Sequence, residues 1–426
     1  MANARKIAVK ALVEVEKSGG YSNIVLKNIF SKNELSSSDK ALASAIFYGS
    51  LDRKITIEYI LKKFIKKPLS KIDPITYAAL SIAVYQITFM DKIPESAAVN
   101  ESVNIVKSSK ERYNSSFVNA VLRSFLREGA KLPEGDDSES LSVRYSCPKW
   151  MVESFLEDYG VNNTVALLEK SLEKPPVTLK VNTLKTSAEN LIKLLNDEKI
   201  DAELLSKDTL NVLSSIDVQN SVAFAKGFFH VQDAASQKSI AVLNPKPFEK
   251  VLDLCSAPGG KSFTMAQMMD NKGQIFAFDL YPQRVELIKK GADRLGLDII
   301  NADVGDATIF NGELGKFDAV LCDVPCSGLG VIRRKPEIKY KKQNDFSELL
   351  EIQLKILENA VRYVNENGRV LYSTCTLRKA ENELLVKAFL DKHTEYELKY
   401  QYTYMPHIDG TDGFYCALLA KKQVIL

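Results

Sequence analysis

Apolar residues recur every three to four positions from Arg5 to about Glu128. Ile7, Ala8, Ala11, Leu12 and Val15 share one helical face, and the run stops at Gly19-Gly20, a pair suited to a helix C-cap. The same spacing predicts helices over Asn23–Ser31, Ser38–Lys66, Pro74–Met90, Glu95–Ser108 and Ser115–Arg127, separated or bent at Gly49, Pro68 and Pro94. Residues 1–130 are therefore expected to form an all-α bundle.

Residues 129–141, GAKLPEGDDSESL, break this pattern. They are polar and acidic, carry Gly and Pro, and have no apolar period, which is the usual composition of an interdomain connection. A linker over 131–142 is expected, then a small α/β module over 143–245, with helical spacing at Pro148–Tyr159 and Val161–Leu172 and a strand at Val177–Asn182. From 246 to 426 strands and helices alternate: Val251–Leu254, a helix from Lys261, Gln274–Asp279, a helix from Pro282, Ile299-Ile300, Phe317–Cys322, a helix around Phe346–Tyr363, and Arg369–Ser373. Repeated strand-helix-strand units predict a doubly wound parallel sheet whose ligands bind at the C-terminal strand ends. The expected fold is multidomain: an all-α N-terminal bundle plus a Rossmann-like α/β domain.

Composition narrows the class. A chain of 426 residues exceeds what one core usually supports, and 45% apolar with 26% charged residues is ordinary for a globular protein. No apolar run nears the eighteen or so residues of a membrane span, and the N-terminus passes into a helical pattern instead of an apolar leader. No membrane partner is expected, and the reading is cytoplasmic. Six cysteines, at 147, 255, 322, 326, 375 and 416, are too unevenly spread for a disulfide framework, and the three histidines have no ligand-like spacing, so no metal is expected. Net charge is only +3, which leaves affinity for nucleic acid to local basic clusters.

The chemistry concentrates at strand ends. D-L-C-S-A-P-G-G-K, Asp253–Lys261, lies between a strand and a helix, where adjacent glycines let the backbone pass close to a ligand. A Walker loop would need glycine at the position of Ser256, and G-x-G-x-x-G is absent. At the end of the second strand, Asp279 is placed to accept hydrogen bonds from both hydroxyls of an adenosine ribose. Asp303, just after the third strand, is placed to meet the adenine edge. Cys255, Ser256, Ala257, Pro258, Gly259, Gly260, Lys261, Asp279, Asp303 and Asp323 are the candidate nucleoside-cofactor residues.

The fourth strand runs into Asp323-Val324-Pro325-Cys326-Ser327-Gly328 and the fifth into Ser373-Thr374-Cys375-Thr376. Adjacent strands would bring Cys326 and Cys375 to one edge beside the cofactor. Cys322, Cys147 and Cys416 read instead as small core residues. Carbon 5 of cytosine is a poor nucleophile until a thiolate adds to C6, so two thiols at such an edge suit pyrimidine methylation. A zinc deaminase would need H-x-E and P-C-x-x-C, which are missing, and an amino-group methyltransferase would carry an aromatic residue in place of Cys326.

Together, A-P-G-G-K, D-x-P-C-S-G and S-T-C-T resemble the RNA cytosine-C5 methyltransferase family. The resemblance implies S-adenosyl-L-methionine as methyl donor, with S-adenosyl-L-homocysteine as product. It implies Cys375 as the nucleophile, Cys326 as the thiol assisting product release, Asp323 at the cytosine and the methionine end of the cofactor, and Lys261 in the same pocket. Val324 stands where alanine is common, and Asp306 near Asp303 offers a second carboxylate for the adenine. The N-terminal bundle is similar to the RNA-binding antitermination factor NusB through Arg5, Ala8 and Leu12, Lys92-Ile93-Pro94 with Val99-Asn100-Glu101, and Phe117–Arg123. A NusB-like bundle joined to such a catalytic domain implies 16S ribosomal RNA as substrate and RNA as the partner, with no obligate protein partner evident. Arg123, Lys107 and the basic run Arg333–Lys342 are candidate RNA contacts. The alternatives are a noncatalytic RNA-binding assembly factor on the same fold, or a cytosine-C5 methyltransferase acting on transfer RNA.

Overall fold

The protein is described from a computed structural model covering residues 3–18, 22–214, 217–340 and 346–422. It divides into two compact units, Met1–Glu173 with Ile332–Lys341, and Lys174–Val331 with Lys342–Leu426.

The first unit is helical: α1 (Ala4–Ser18), α2 (Ser22–Ser31), α3 (Ser37–Asp52), α4 (Lys54–Phe64), α5 (Pro74–Phe89), α6 (Glu95–Lys107), α7 (Ser115–Glu128), α8 (Ser138–Tyr145) and α9 (Lys149–Ser171). The glycine pair expected to cap α1 lies outside the described residues. Asp73 caps α5 through the Thr76 amide, with Pro74 opening the helix. α5 is apolar all round, burying Ala78 to Val84 without a gap, because it packs against α1, α3, α4, α6 and α7. The expected break at Gly49 falls instead at Arg53. Gly49 stays helical and gives way to the aromatic ring on α5, since a Cβ there would lie 1.9 Å from Tyr85.

By their contacts, the helices expected to open the α/β module group with the helical unit. Thr56 Oγ1 donates to the Val143 carbonyl at 2.6 Å, and the Ile55 amide donates to Ser146 Oγ at 3.0 Å, so α8 supplies partners that the start of α4 lacks. The expected linker is also shorter, because Asp137 caps α8 through the amides of Glu139 and Ser140. The break predicted between Tyr159 and Val161 is present at Gly160, at φ 72°.

The basic run was expected to contact RNA along its length. Lys339 is instead fully buried, its Nζ 2.6 Å from Asp52 Oδ1, while Pro336 and Ile338 are buried and Tyr340 OH donates to the Leu51 carbonyl. Glu337 accepts from Ser22 Oγ at 2.9 Å. Apolar residues alternating with the cations make this stretch part of the helical core. Lys335 is exposed and Arg333 and Arg334 are half-buried; Lys342 lies outside the described residues.

The second unit begins with a four-stranded antiparallel sheet of order β2-β3-β1-β4, from β1 (Val177–Val181), β2 (Ala202–Ser206), β3 (Thr209–Val212) and β4 (Phe229–Val231), with helices α10 (Ala188–Asp197) and α11 (Val222–Ala225). There follow α12 (Ala234–Leu243), β5 (Lys250–Asp253), α13 (Gly260–Met268), β6 (Gln274–Asp279), α14 (Pro282–Leu295), β7 (Ile300–Val304), β8 (Phe317–Asp323), α15 (Ser347–Tyr363), β9 (Val364–Thr374), α16 (Glu383–Lys392), β10 (Tyr396–Tyr404), α17 (Pro406–Asp409) and β11 (Phe414–Lys421). The large sheet has order β10-β11-β9-β8-β5-β6-β7. The expected wholly parallel sheet is mixed: β11 inserts between β9 and β10, antiparallel to both. Period-two alternation sends Leu252, Val320 and Tyr372 toward α15 and α16, and Val251, Leu321 and Leu371 toward α12, α13 and α14. Among the described residues no helix is long and apolar enough to cross a membrane.

Removing the buried cation should unfold the helical unit more readily than any surface charge change would. Lys339→Met is expected to lower its stability by about 3 kcal/mol, and adding Asp52→Leu to restore most of the loss. Denaturant titration followed by the fluorescence of Trp150, the single tryptophan, in α9, checks this; unchanged stability of Lys339→Met would show that the pair contributes nothing.

Candidate active site

The strand order reverses between β5 and β8, and crevices at such reversals receive ligands in open α/β sheets. Parallel pairing places Asp253 opposite Leu321 and Asp323 opposite Ser373, so three chains leave the sheet side by side.

The loop after β5 folds tightly. The Ser256 amide donates to the Phe278 carbonyl at 2.8 Å and its hydroxyl to the Asp253 carbonyl at 2.9 Å. Gly259 sits at φ 110°, where a Cβ would strike the Phe263 ring at 2.3 Å, so this turn requires glycine. Cys255, Ser256, Ala257, Pro258, Gly260, Lys261 and Asp323 line one cavity of about 160 Å³, joined by Gln232, Ser236 and Asp253. Gly259 and Asp279 are buried and are not among those lining residues. The Asp279 carboxylate accepts from the Ala257 and Tyr281 amides and pairs with Arg284 at 3.3 Å.

Asp303 is not among the residues that line this cavity, and it pairs in register with Phe278 on β6. It was expected to follow the third strand, but β7 continues to Val304, and Asp303 is an exposed residue within it that accepts from the Val304 amide at 2.7 Å. Asp306 is exposed as well and takes the amide and hydroxyl of Thr308.

At the adjoining strand ends, Lys261 Nζ lies 2.7 Å from Asp323 Oδ2 and over the Phe414 ring at 5.0 Å, while Ser373 Oγ donates to Asp323 Oδ1 at 2.8 Å. Burial works against the Lys261 ammonium, but the Asp323 carboxylate and, less strongly, Cys375 and Asp253 hold its pKa above the ordinary lysine value. The sulfurs of Cys326 and Cys375 are 3.3 Å apart. The hydrogen bond to Cys375, followed by burial, pushes the Cys326 thiol well above the usual cysteine range. Cys322, Cys147 and Cys416 are buried core residues, as read from the sequence.

Several residues around the site carried no spacing signal. Gly330 and Gly413 let the cysteine loops touch: the Gly330 amide donates to the Cys375 carbonyl at 3.0 Å, the Gly413 amide donates to the Gly330 carbonyl at 2.9 Å, and a Cβ on Gly330 would lie 2.0 Å from the Gly413 oxygen. Glu381, Asn382 and Gln353 are buried polar residues bonded to those loops. Asp253 is fully buried; Ser262 Oγ donates to its Oδ2 at 2.6 Å, and its Oδ1 has no partner among the described residues.

A nucleotide-type crevice with paired thiols, beside a β5 loop closed at Gly259, defines a Rossmann-like methyltransferase catalytic unit. Comparison with known proteins agrees. Residues 240–420 match the 16S rRNA methyltransferase RsmB/F family, residues 2–127 the NusB family, and residues 147–219 the ferredoxin-like domain of RsmF/B-like methyltransferases. The chain is 38% identical over 99% of both lengths to a Bacillus subtilis protein described as "Probable ribosomal RNA small subunit methyltransferase B". It is 30% identical, again over 99% of both, to the ribosomal RNA small subunit methyltransferase B of Photorhabdus laumondii. The crystal structure of PH0851 superposes with a TM-score of 0.83 at 28% identity, covering 99% of each chain. The chain belongs to the ribosomal RNA small subunit methyltransferase B family.

Burial raises the Asp253 carboxyl to about 7, against an ordinary value of 3.8. The folded state therefore holds this proton more tightly than the unfolded state does. The resulting stability is fully present below the ordinary carboxylate range and is lost as pH rises through about 7. Between pH 5 and pH 8 the wild type should lose roughly 2 kcal/mol relative to Asp253→Asn. Parallel unfolding titrations of the two proteins check this, and identical pH dependence would contradict it.

Proposed function

We propose that the protein transfers the methyl group of S-adenosyl-L-methionine to C5 of a cytosine in 16S ribosomal RNA, with Cys375 as covalent nucleophile. The observation that carries this reading is the pair of sulfurs 3.3 Å apart at two adjacent strand ends, next to the Lys261–Asp323 ion pair. Family membership supports the same reaction class.

The residues present fit the cofactor. Asp253 has one oxygen with no described partner and lines a cavity together with Lys261 and Asp323, which suits the ammonium of an amino-acid end. Gly260 opens α13, whose first amides suit a carboxylate, and Asp279 at the end of β6 suits the ribose, with Asp303 assigned to the adenine edge. When bound, the cofactor supplies an electrophilic methyl group. The protein's own residues then have distinct work. The Cys375 thiolate adds to C6 of the cytosine, and the electron pair displaced toward N3 makes C5 able to accept the methyl. Lys261 is held protonated beside this sulfur, and a nearby cation favours its ionised form. Asp323, fixed by Lys261 and Ser373, would contact the base. Loss of the C5 proton to water then re-forms the C5=C6 bond and expels Cys375 as a thiolate, and Cys326, kept as a thiol by its surroundings, assists that release. Arg123 and Lys107 are exposed on the helical unit and serve as phosphate contacts in this reading, as does Lys335.

The two thiols should fail differently. Cys375→Ala is expected to lower methyl transfer from labelled cofactor to unmodified 16S RNA by more than about a thousandfold and to form no adduct. Cys326→Ala should accumulate a covalent protein–RNA species that survives denaturing electrophoresis. A trapped species with Cys375→Ala instead would reverse the assigned roles, and a methyl group mapped to an adenine or guanine would overturn the reading.

A further inference from the structure

Glu381 and Asn382 follow β9 on a short turn and are both fully buried. Each holds one cysteine loop. Glu381 Oε2 accepts from the Ser327 amide, directly after Cys326, at 2.9 Å. It also accepts from Gln353 Nε2 at 2.9 Å, and the same Nε2 donates to the carbonyl of Pro325, directly before Cys326, at 2.9 Å. Asn382 does the equivalent for the other loop: Thr374 Oγ1 donates to its Oδ1 at 2.6 Å, and its Nδ2 donates to the Thr376 carbonyl at 3.0 Å. Residues on both sides of each cysteine are thereby tied to one dipeptide.

That dipeptide is itself anchored. Arg378 pairs with Glu381 Oε1 at 3.1 Å, and Tyr372 OH donates to the Glu381 carbonyl at 2.7 Å. Ser327 and Thr376 hydroxyls join the two loops directly at 2.7 Å. A buried carboxylate is costly unless its oxygens are occupied, so moving either loop away would leave Glu381 short of partners. We propose that Glu381–Asn382 is a clamp of positioning residues that sets the distance between Cys326 and Cys375. Its consequence for the reaction rests on the cytosine-C5 reading above; its effect on the thiols does not.

The clamp is tested without substrate. Diamide, whose N=N bond takes up the two thiol hydrogens, should convert the full-length wild type to a Cys326–Cys375 disulfide, read as a two-hydrogen mass loss and loss of two thiols. Closure should be at least about tenfold slower in Glu381→Ala and in Asn382→Ala, and within about threefold of wild type in Glu381→Gln, which keeps the acceptor. Phe389→Leu, a core change in α16, controls for general destabilisation and should close at the wild-type rate. If the alanine variants do not fold, Asn382→Asp carries the test, since it retains the Thr374 contact but cannot donate to Thr376; closure slowed at least about threefold is expected. Unchanged closure in the folded variants, or a wild type that forms no such disulfide, overturns the clamp. With cofactor and RNA, Glu381→Ala should accumulate the adduct seen for Cys326→Ala. Slowed closure without adduct in any variant would leave the clamp standing and sink the cytosine-C5 reading.

Discussion

The parallel register of β8 with β9 is the constraint on which the site depends. With Asp323 opposite Ser373, both chains leave the sheet at the same level, and the cysteines that follow have only a few residues in which to diverge. The backbone then brings them back, through the Gly330 amide on the Cys375 carbonyl and the Gly413 amide on Gly330. Individually such bonds contribute about 1 kcal/mol, but breaking one inside a buried loop leaves a group unsatisfied at greater cost. The loops therefore occupy one arrangement.

Within this frame, solvation assigns different characters to chemically similar groups. Asp253 is buried with one oxygen lacking a described partner and is drawn toward its neutral form, whereas Asp323 is met by Lys261 and Ser373. Cys326 is likewise held as a thiol by its neighbour and by burial. Environments that separate similar groups in this way are characteristic of reactive sites.

Much of this was legible in the sequence because it lay in local patterns. Helical spacing located α2 and α5 to α7 to within a residue or two, and strand-end loops singled out Cys326, Cys375, Lys261 and Asp323 before any geometry was known. What escaped depended on distant partners. Gly49 reads as a helix breaker until Tyr85 is seen against it, and Lys339 reads as a candidate RNA contact until Asp52 is found beside it. The antiparallel β11 has no signature separating it from a parallel strand, because direction is set by what it pairs with. Glu381, Asn382 and Gln353 are polar residues of unremarkable spacing whose importance lies wholly in the loops they contact. Asp303 fell inside β7 because the strand outruns its apolar residues.

The placement of β11 also bears on how the sheet is completed. β10 precedes β11 in the chain, yet among the described residues its neighbour in the sheet is β11, which lies between β9 and β10. In the folded sheet residues 414–421 occupy the edge of β9 and carry β10, and Gly413, directly before them, rests against Gly330. Both cysteines thus precede in the chain the segment that braces their loops.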